Sequence, residues 1–270
     1  MSWNHSFPIG PVFIKWFRGP ASKRRFDTEK LMFGVLKELG LPVPELLATL
    51  SLGPVIVAQR LKGTAIDKSS DFHSCGVQQF INSIEVVSMN AIVSNTRALG
   101  WIHKASTSNY MMDVLAEDIV RIVRLRADGE LTKTASAVLQ TFQHIECEYN
   151  DRIICLTDYS PKNFLSFDKV WYLVDFEGAM IAEPDVFYAK TAFNCVRDFS
   201  NAEVAMACAE TILKHTKNVN LVHATLGWAL IRSQAFEGLP AIQLRSTSAA
   251  LGCLVKGCDP YEVLRELNYV

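Results

Sequence analysis

Few of the signals that assign a chain at a glance are present in this sequence. Its charges almost cancel, 27 lysines and arginines against 28 aspartates and glutamates. With no excess of either sign, nothing electrostatic argues for nucleic acid as a partner. No apolar run approaches the roughly 20 residues that a membrane span needs. The opening MSWNHSFPIG lacks a basic segment followed by an apolar one, the pattern of a secretory leader. The seven cysteines include no Cys-x-x-Cys pair and no Cys/His cluster with zinc spacing. An odd count without framework spacing suits a reducing compartment, so no membrane association and a cytoplasmic location are expected. There is no internal repeat and no low-complexity segment.

What is present is ordinary for a folded chain of 270 residues, 49% hydrophobic and 20% charged, with ample material for a core. VFIKWF (12–17) reads as a strand and GPASKRR as a loop, whose Lys23, Arg24 and Arg25 are taken as solvated. FDTEKLMFGVLKELG is predicted to be a helix from Phe26, with Asp27 as its N-cap, Gly40 as its stop, and Leu31, Val35, Leu36 and Leu39 on one face. PVIVAQRL (54–61) follows as a buried strand ended by Lys62-Gly63. Beyond a polar connection, helical patterns cover 76–105, 112–127 and 133–149, then two short strands, RIICL and VWYLVDF, flank a turn at NFLSFDK. From 184 to 270 almost everything is helix-compatible. The expected architecture is α+β: a small N-terminal part over residues 1–62, a hinge near 59–63, and a larger, mostly helical part over 63–270.

The chemistry concentrates in LTDYSPKNFLSFDKVWYLVDFEG (156–178). Asp158 follows one apolar run, Asn163 lies five residues on, and Asp175 ends the next run. Two oxygen ligands at adjacent strand ends suit Mg²⁺, which takes few protein oxygens and shares the rest of its shell with water and phosphates. A further carboxylate free of metal can orient a hydroxyl and accept its proton. Turn aspartates with a capping asparagine are the plainer alternative.

This stretch resembles the catalytic segment of the aminoglycoside phosphotransferase and choline kinase-like family. LTDYSPKN is similar to the family's H-G-D-x-x-x-x-N loop, LVDFEGA to its I-D-[FW]-E strand end, and AEPDVFYA to the acidic-Pro segment that follows. Upstream and in the right order, VFIKWF resembles the strand carrying the family's lysine, EKLMFGVLKELGLPVPELLA its helix and L-P-V-P, PVIVAQRLKG the strand into the hinge, and RALGWIHKAS the long helix that here holds Ile102-His103. The resemblance implies a bilobal protein-kinase-like fold and ATP- and Mg²⁺-dependent transfer of a phosphoryl group to a hydroxyl of a small molecule, a cationic one where the likeness to aminoglycoside and choline kinases holds. It also implies the roles: Asp158 as base, Asn163 and Asp175 as magnesium ligands, Lys15 on the nucleotide phosphates with Glu29 holding it, and Gln59, Arg60 and Leu61 beside the adenine.

The sequence departs from that pattern in places. Leu156 and Thr157 stand where the family has histidine and glycine, and Phe187 stands where it has an aspartate. Fourteen residues precede Lys15, which predicts a shortened N-terminal region without a glycine-rich loop; Asn4, His5 and Ser6 could hydrogen-bond phosphate instead. These departures make a pseudokinase-like nucleotide-binding or regulatory module the alternative reading. Glu177 reads as a loop acid, Ser160 and Lys162 as candidate substrate contacts, and Glu183 and Asp185 as acids that would attract a cationic substrate or sit at a helix start.

Overall fold

The computed structural model describes residues 4–19, 22–90, 110–126, 129–142, 145, 153–234 and 241–267. The chain divides into two units, Met1–Lys104 with Ile153–Ile181 and Phe199–Asn201, and Ala105–Arg152 with Ala182–Asp198 and Ala202–Val270. The small antiparallel sheet at the N-terminus and the helical C-terminal part make the α+β architecture expected from the sequence. Among the described residues no helix is long and apolar enough to cross a membrane.

In the first unit, β1 (His5–Ile9) and β2 (Val12–Trp16) form a hairpin across Gly10-Pro11. Gly10 holds φ +56 there, as the first central residue of a tight hairpin turn requires. Helix α1 (Ser22–Glu38) follows, then β3 (Leu46–Leu50) and β4 (Val55–Gln59), giving the sheet order β1-β2-β4-β3. β2 is thus an inner strand, with Lys15 opposite Ser6 on one side and Ile56 on the other. The helix starts one turn earlier than its sequence suggests, so Asp27 is inside it rather than capping it. Its carboxylate instead takes an i,i+4 ion pair from Lys23 at 3.0 Å, which supports the extra turn. Gly40 does end the helix, at φ +76, with Leu41 N–H bonded to Leu36 O. The buried face centres on Phe26, Glu29, Met32, Phe33 and Leu36.

The same unit continues with β5 (Thr64–Ala65), α2 (Cys75–Asn90), β6 (Ile153–Leu156), β7 (Phe164–Phe167), β8 (Val170–Leu173) and β9 (Ala179–Ala182). Strands β5, β7 and β8 form one small sheet, and β6 pairs with β9. The NFLSFDK segment, expected to be a turn, is largely strand. Only Asp168 and Lys169 turn, at φ 48 and 63, and they close a two-residue hairpin between β7 and β8. Gly63 lets β5 approach β7, because a Cβ there would meet Ser166 O at 2.2 Å. Phe80 of α2 lies 5.1 Å from the Tyr159 ring and 5.6 Å from Phe164, and the Tyr159 hydroxyl bonds Ser83 Oγ. This buried aromatic cluster fixes the loop after β6.

The second unit is helical: α3 (Tyr110–Arg126), α4 (Gly129–Phe142), α5 (Pro184–Asp198), α6 (Ala202–Leu213), α7 (Val219–Gln234), α8 (Ala241–Val255) and α9 (Pro260–Leu267). Its centre is α7, buried from Leu221 to Ile231 except at His223. Asp118 of α3 ties the bundle to α7 through the Trp228 indole N–H at 2.8 Å and Arg232 at 3.0 Å, and it also pairs with Arg121. Burial alone would raise the Asp118 carboxyl, but Arg232, Trp228 and Arg121 more than offset it, so its pKa lies below the usual carboxylate range. A group depressed in this way contributes stability above its unfolded pKa and loses it as pH falls through the folded value. Asp118→Asn is therefore expected to cost about 2 kcal/mol at pH 7. The deficit should shrink as pH falls below the ordinary carboxylate value of 3.8, as read from denaturant unfolding at neutral and acid pH.

Candidate active site

Lys15 is the first residue to place, because a lysine on an inner strand has nowhere to send its charge except inward. Its side chain is only 7% exposed and meets three carboxylates: Glu29 Oε2 at 2.6 Å, Asp175 Oδ1 at 2.6 Å and Glu177 Oε2 at 3.0 Å. Glu29 comes from the buried face of α1, while Asp175 and Glu177 come from the segment after β8. Burial would depress the Lys15 ammonium, but the three carboxylates outweigh it and raise its pKa. Burial also pushes Glu29 up, to about 8, since Lys15 shares its one charge with Asp175 and Glu177, whose own charges add to the rise. Desolvation raises Asp175 as well, against the pull of Lys15.

The backbone that carries Asp175 is strained. The strand expected to reach it ends at Leu173, and Asp175 sits two residues on at φ +68, in the left-handed region that a branched side chain rarely adopts. Two contacts impose the conformation. Val174 N–H bonds Asn163 O at 2.9 Å, and Phe176, 2% exposed, packs edge-on against Phe33 of α1 with ring centroids 5.2 Å apart.

The loop after β6 brings Asp158 and Asn163 together. Ser160 accepts from Lys162 N–H and caps the short 3-10 turn Pro161–Asn163, where proline supplies the fixed φ of a first helical position. Asn163 Nδ2 donates to Asp158 O at 3.0 Å and to Asp158 Oδ2 at 3.2 Å, leaving its Oδ1 as the group's other polar atom. Thr157, in the place of the family's glycine, donates to Gly178 O at 2.8 Å, so the loop is tied to the turn beyond Asp175. Gly178 is required at that approach, because a Cβ there would lie 2.5 Å from Thr157 Oγ1.

A cavity of about 440 Å³ opens beside this cluster, within the first unit. Lys15, Glu29, Asn163 and Asp175 are at one part of its wall and Gln59, Arg60 and Leu61 at another, with Phe13, Ile56, Ala58 and Leu165 supplying apolar surface. Lys15, Glu29, Gln59, Arg60, Leu61, Asn163 and Asp175 therefore line one space. Asp158 is outside that lining and reaches it through Asn163. Of the three N-terminal candidates, Ser6 lines the cavity, Asn4 donates to Glu177, and His5 faces Arg18 at 2.8 Å.

Other expectations fare differently. Ser160 is fully buried, so it is a cap and not a substrate contact. Asp185 is 7% exposed and accepts from the N–H groups of Lys217 and Asn218 at 3.0 and 2.7 Å, so it fastens the start of α7 and is not displayed to a ligand. Leu156 and Phe187 are core residues, 4% and 0% exposed. Ile102 and His103 lie outside the described residues. Glu177 and Arg25 are what the sequence reading missed. Glu177 joins the Lys15 cluster, and Arg25 Nη1 meets it at 3.3 Å. The available signals were the two-residue step from Asp175 to Glu177 and the four-residue step from Arg25 to Glu29 along one helix face.

The fold is that of small-molecule phosphotransferases. Solved structures that share it include the GDP complex of aminoglycoside 2'-phosphotransferase-IIIa, at TM-score 0.61 and 13% identity over 99% of this chain and 90% of that one. A thermostable mutant of aminoglycoside phosphotransferase APH(4)-Ia gives 0.62 and 13% over 98% and 91%. A choline/ethanolamine kinase family protein from Mesorhizobium loti gives 0.51 and 12% over 99% and 86%. No protein-family model matches the chain, and no curated protein matches it by sequence.

The raised Glu29 has a measurable consequence. A group whose folded pKa exceeds its unfolded one contributes stability that is complete below the unfolded value, about 4.5, and is lost as pH rises through about 8. In metal-free buffer, unfolding free energy is expected to fall between pH 5 and pH 8.5, and Glu29→Gln should flatten most of that fall. A slope unchanged by the substitution would mean that Glu29 is ionised throughout.

Proposed function

We propose that this protein is a kinase that moves the γ-phosphoryl group of ATP to a hydroxyl of a small molecule. The observation that carries the reading is that Lys15, Glu29, Asp175 and Asn163 line the wall of one cavity, with Asp158 bonded to Asn163 just behind it. In this reading Gln59, Arg60 and Leu61 bound the adenine, and Lys15, steadied by Glu29, neutralises phosphate oxygens. The metal fits the residues present. Asn163 and Asp175, whose side chains carry hard oxygens, line the cavity, and the ligand atoms of Glu29, Asp175 and Glu177 lie within 4.8 Å of one another around the Lys15 ammonium. Asn163 and Asp175 would hold Mg²⁺, whose chemistry is to neutralise charge on the transferring phosphates.

Asp158 then orients the acceptor hydroxyl and takes its proton as the new O–P bond forms and the bond to the bridging oxygen of ADP breaks. Asn163 supports that task by bonding Asp158 through Nδ2, which fixes the carboxylate and turns the amide Oδ1 away from it. Solved structures with this fold include complexes with gentamicin and with streptomycin and ATP, and we infer a cationic acceptor here too. Asp158, Asp175 and Glu177 give the site an acidic excess that such an acceptor would meet. A reducing cytoplasm suits the six described cysteines, none of them in a disulfide.

A nucleotide-binding module without turnover is the second reading, favoured by Leu156 at the place of the family's loop histidine, where it is buried in β6. Two measurements decide between them. ATP with Mg²⁺ at 100 times the dissociation constant should add about 2.7 kcal/mol of stability, and that shift should shrink when EDTA is added. Asp158→Asn should keep the shift and abolish phosphoryl transfer. Transfer at the wild-type rate by Asp158→Asn would overturn the assignment of the base, and a shift indifferent to metal would favour the module.

A further inference from the structure

We propose that Arg25 is a second cation for the nucleotide phosphates, held in place by Glu177 until a phosphate displaces that carboxylate. The proposal rests on the nucleotide-dependent reading above. Arg25 lies one turn before Glu29 on α1, so its side chain rises from the helix face that supplies the ion-pair glutamate. The guanidinium is only 16% exposed and is fixed at two points: Nη2 donates to Arg18 O at 2.5 Å, and Nη1 donates to Glu177 Oε1 at 3.3 Å. The other oxygen of Glu177, Oε2, faces Lys15 at 3.0 Å and accepts from Asn4. One carboxylate therefore spans two cations, one on each oxygen.

That is the position a phosphate oxyanion takes between a planar guanidinium and an ammonium. The 3.3 Å contact is also long for a charge-assisted bond, which usually measures about 2.7–2.9 Å. On the Arg25 side Glu177 is thus a loose partner, which a more highly charged group with more oxygens would outcompete there. The β1–β2 turn does not provide a substitute cradle for phosphate. It lies at the other end of β2 from Lys15, where Arg60 Nη1 bonds Gly10 O at 3.2 Å. Arg25 supplies a side-chain contact at the Lys15 end of β2, while Glu29 stays on Lys15.

The test is titration of the full chain with ADP, tripolyphosphate and adenosine in EDTA, which removes metal from the comparison. Arg25→Gln should weaken ADP and tripolyphosphate by about 10-fold or more, and Arg25→Lys should recover part of the loss. Glu177→Gln should tighten both. Adenosine should bind all four proteins alike, because it carries no phosphate. The inference is overturned if Arg25→Gln binds ADP as the wild type does, if it loses adenosine in the same proportion, or if Glu177→Gln weakens ADP. Wild-type protein that binds neither ADP nor adenosine would overturn the nucleotide reading itself.

Discussion

One buried ammonium and the carboxylates around it organise the first unit. Lys15 cannot be solvated where it stands, so β2 can hold its place in the sheet only if Glu29 and Asp175 come to it. That single demand fixes the rotation of α1 about its axis and brings the segment after β8 against the sheet. It also leaves the cluster short of positive charge, since three carboxylates share one ammonium and one half-engaged guanidinium. An arrangement that burdens the protein with carboxylate repulsion is stabilised by whatever brings cations or ordered phosphate into it. Strain at Asp175 belongs to the same account, because φ +68 is tolerable only where neighbouring contacts over-determine it.

The supports lie outside the charged groups. Phe176 against Phe33 and Val174 N–H on Asn163 O hold Asp175 from both sides of the chain, while Tyr159, in its aromatic cluster with Phe80, anchors the loop that carries Asp158. Thr157 on Gly178 links the two segments directly. The family resemblance has glycine at position 157, and the substitution is accommodated because the hydroxyl found a backbone carbonyl across the gap. Side chains that must act together are thus positioned by apolar packing and backbone bonds, which are insensitive to the protonation of the cluster itself.

Much of this was legible in the sequence. The order of Lys15, Glu29, Gln59–Leu61, Asp158, Asn163 and Asp175 carried the fold and, Asp158 apart, the set of residues that meet at one cavity, because each is bound to an apolar segment whose period shows where it points. Boundaries were less legible. Ser22–Arg25 looked like loop because Lys and Arg are indifferent to helix or coil, and contacts such as the Lys23–Asp27 pair and the Gly19 turn commit them. NFLSF looked like turn because of its asparagine and serine, whereas the left-handed pair Asp168-Lys169 carries the reversal. Arg25 and Glu177 were missed for a different reason: an ion pair separated by 152 residues leaves no local pattern.

The central claim is that this cluster receives nucleotide phosphates and a divalent cation, with Asn163 and Asp175 as the cation's protein ligands. Crystals grown with ADP and Mn²⁺, measured for anomalous scattering, test it most directly. The account predicts one strong peak at coordination distance from both Asn163 Oδ1 and Asp175, with phosphate oxygens on Lys15. A peak held by Glu29 and Glu177 instead, or ADP bound with Lys15 still closed on Asp175 and no metal at all, would contradict it.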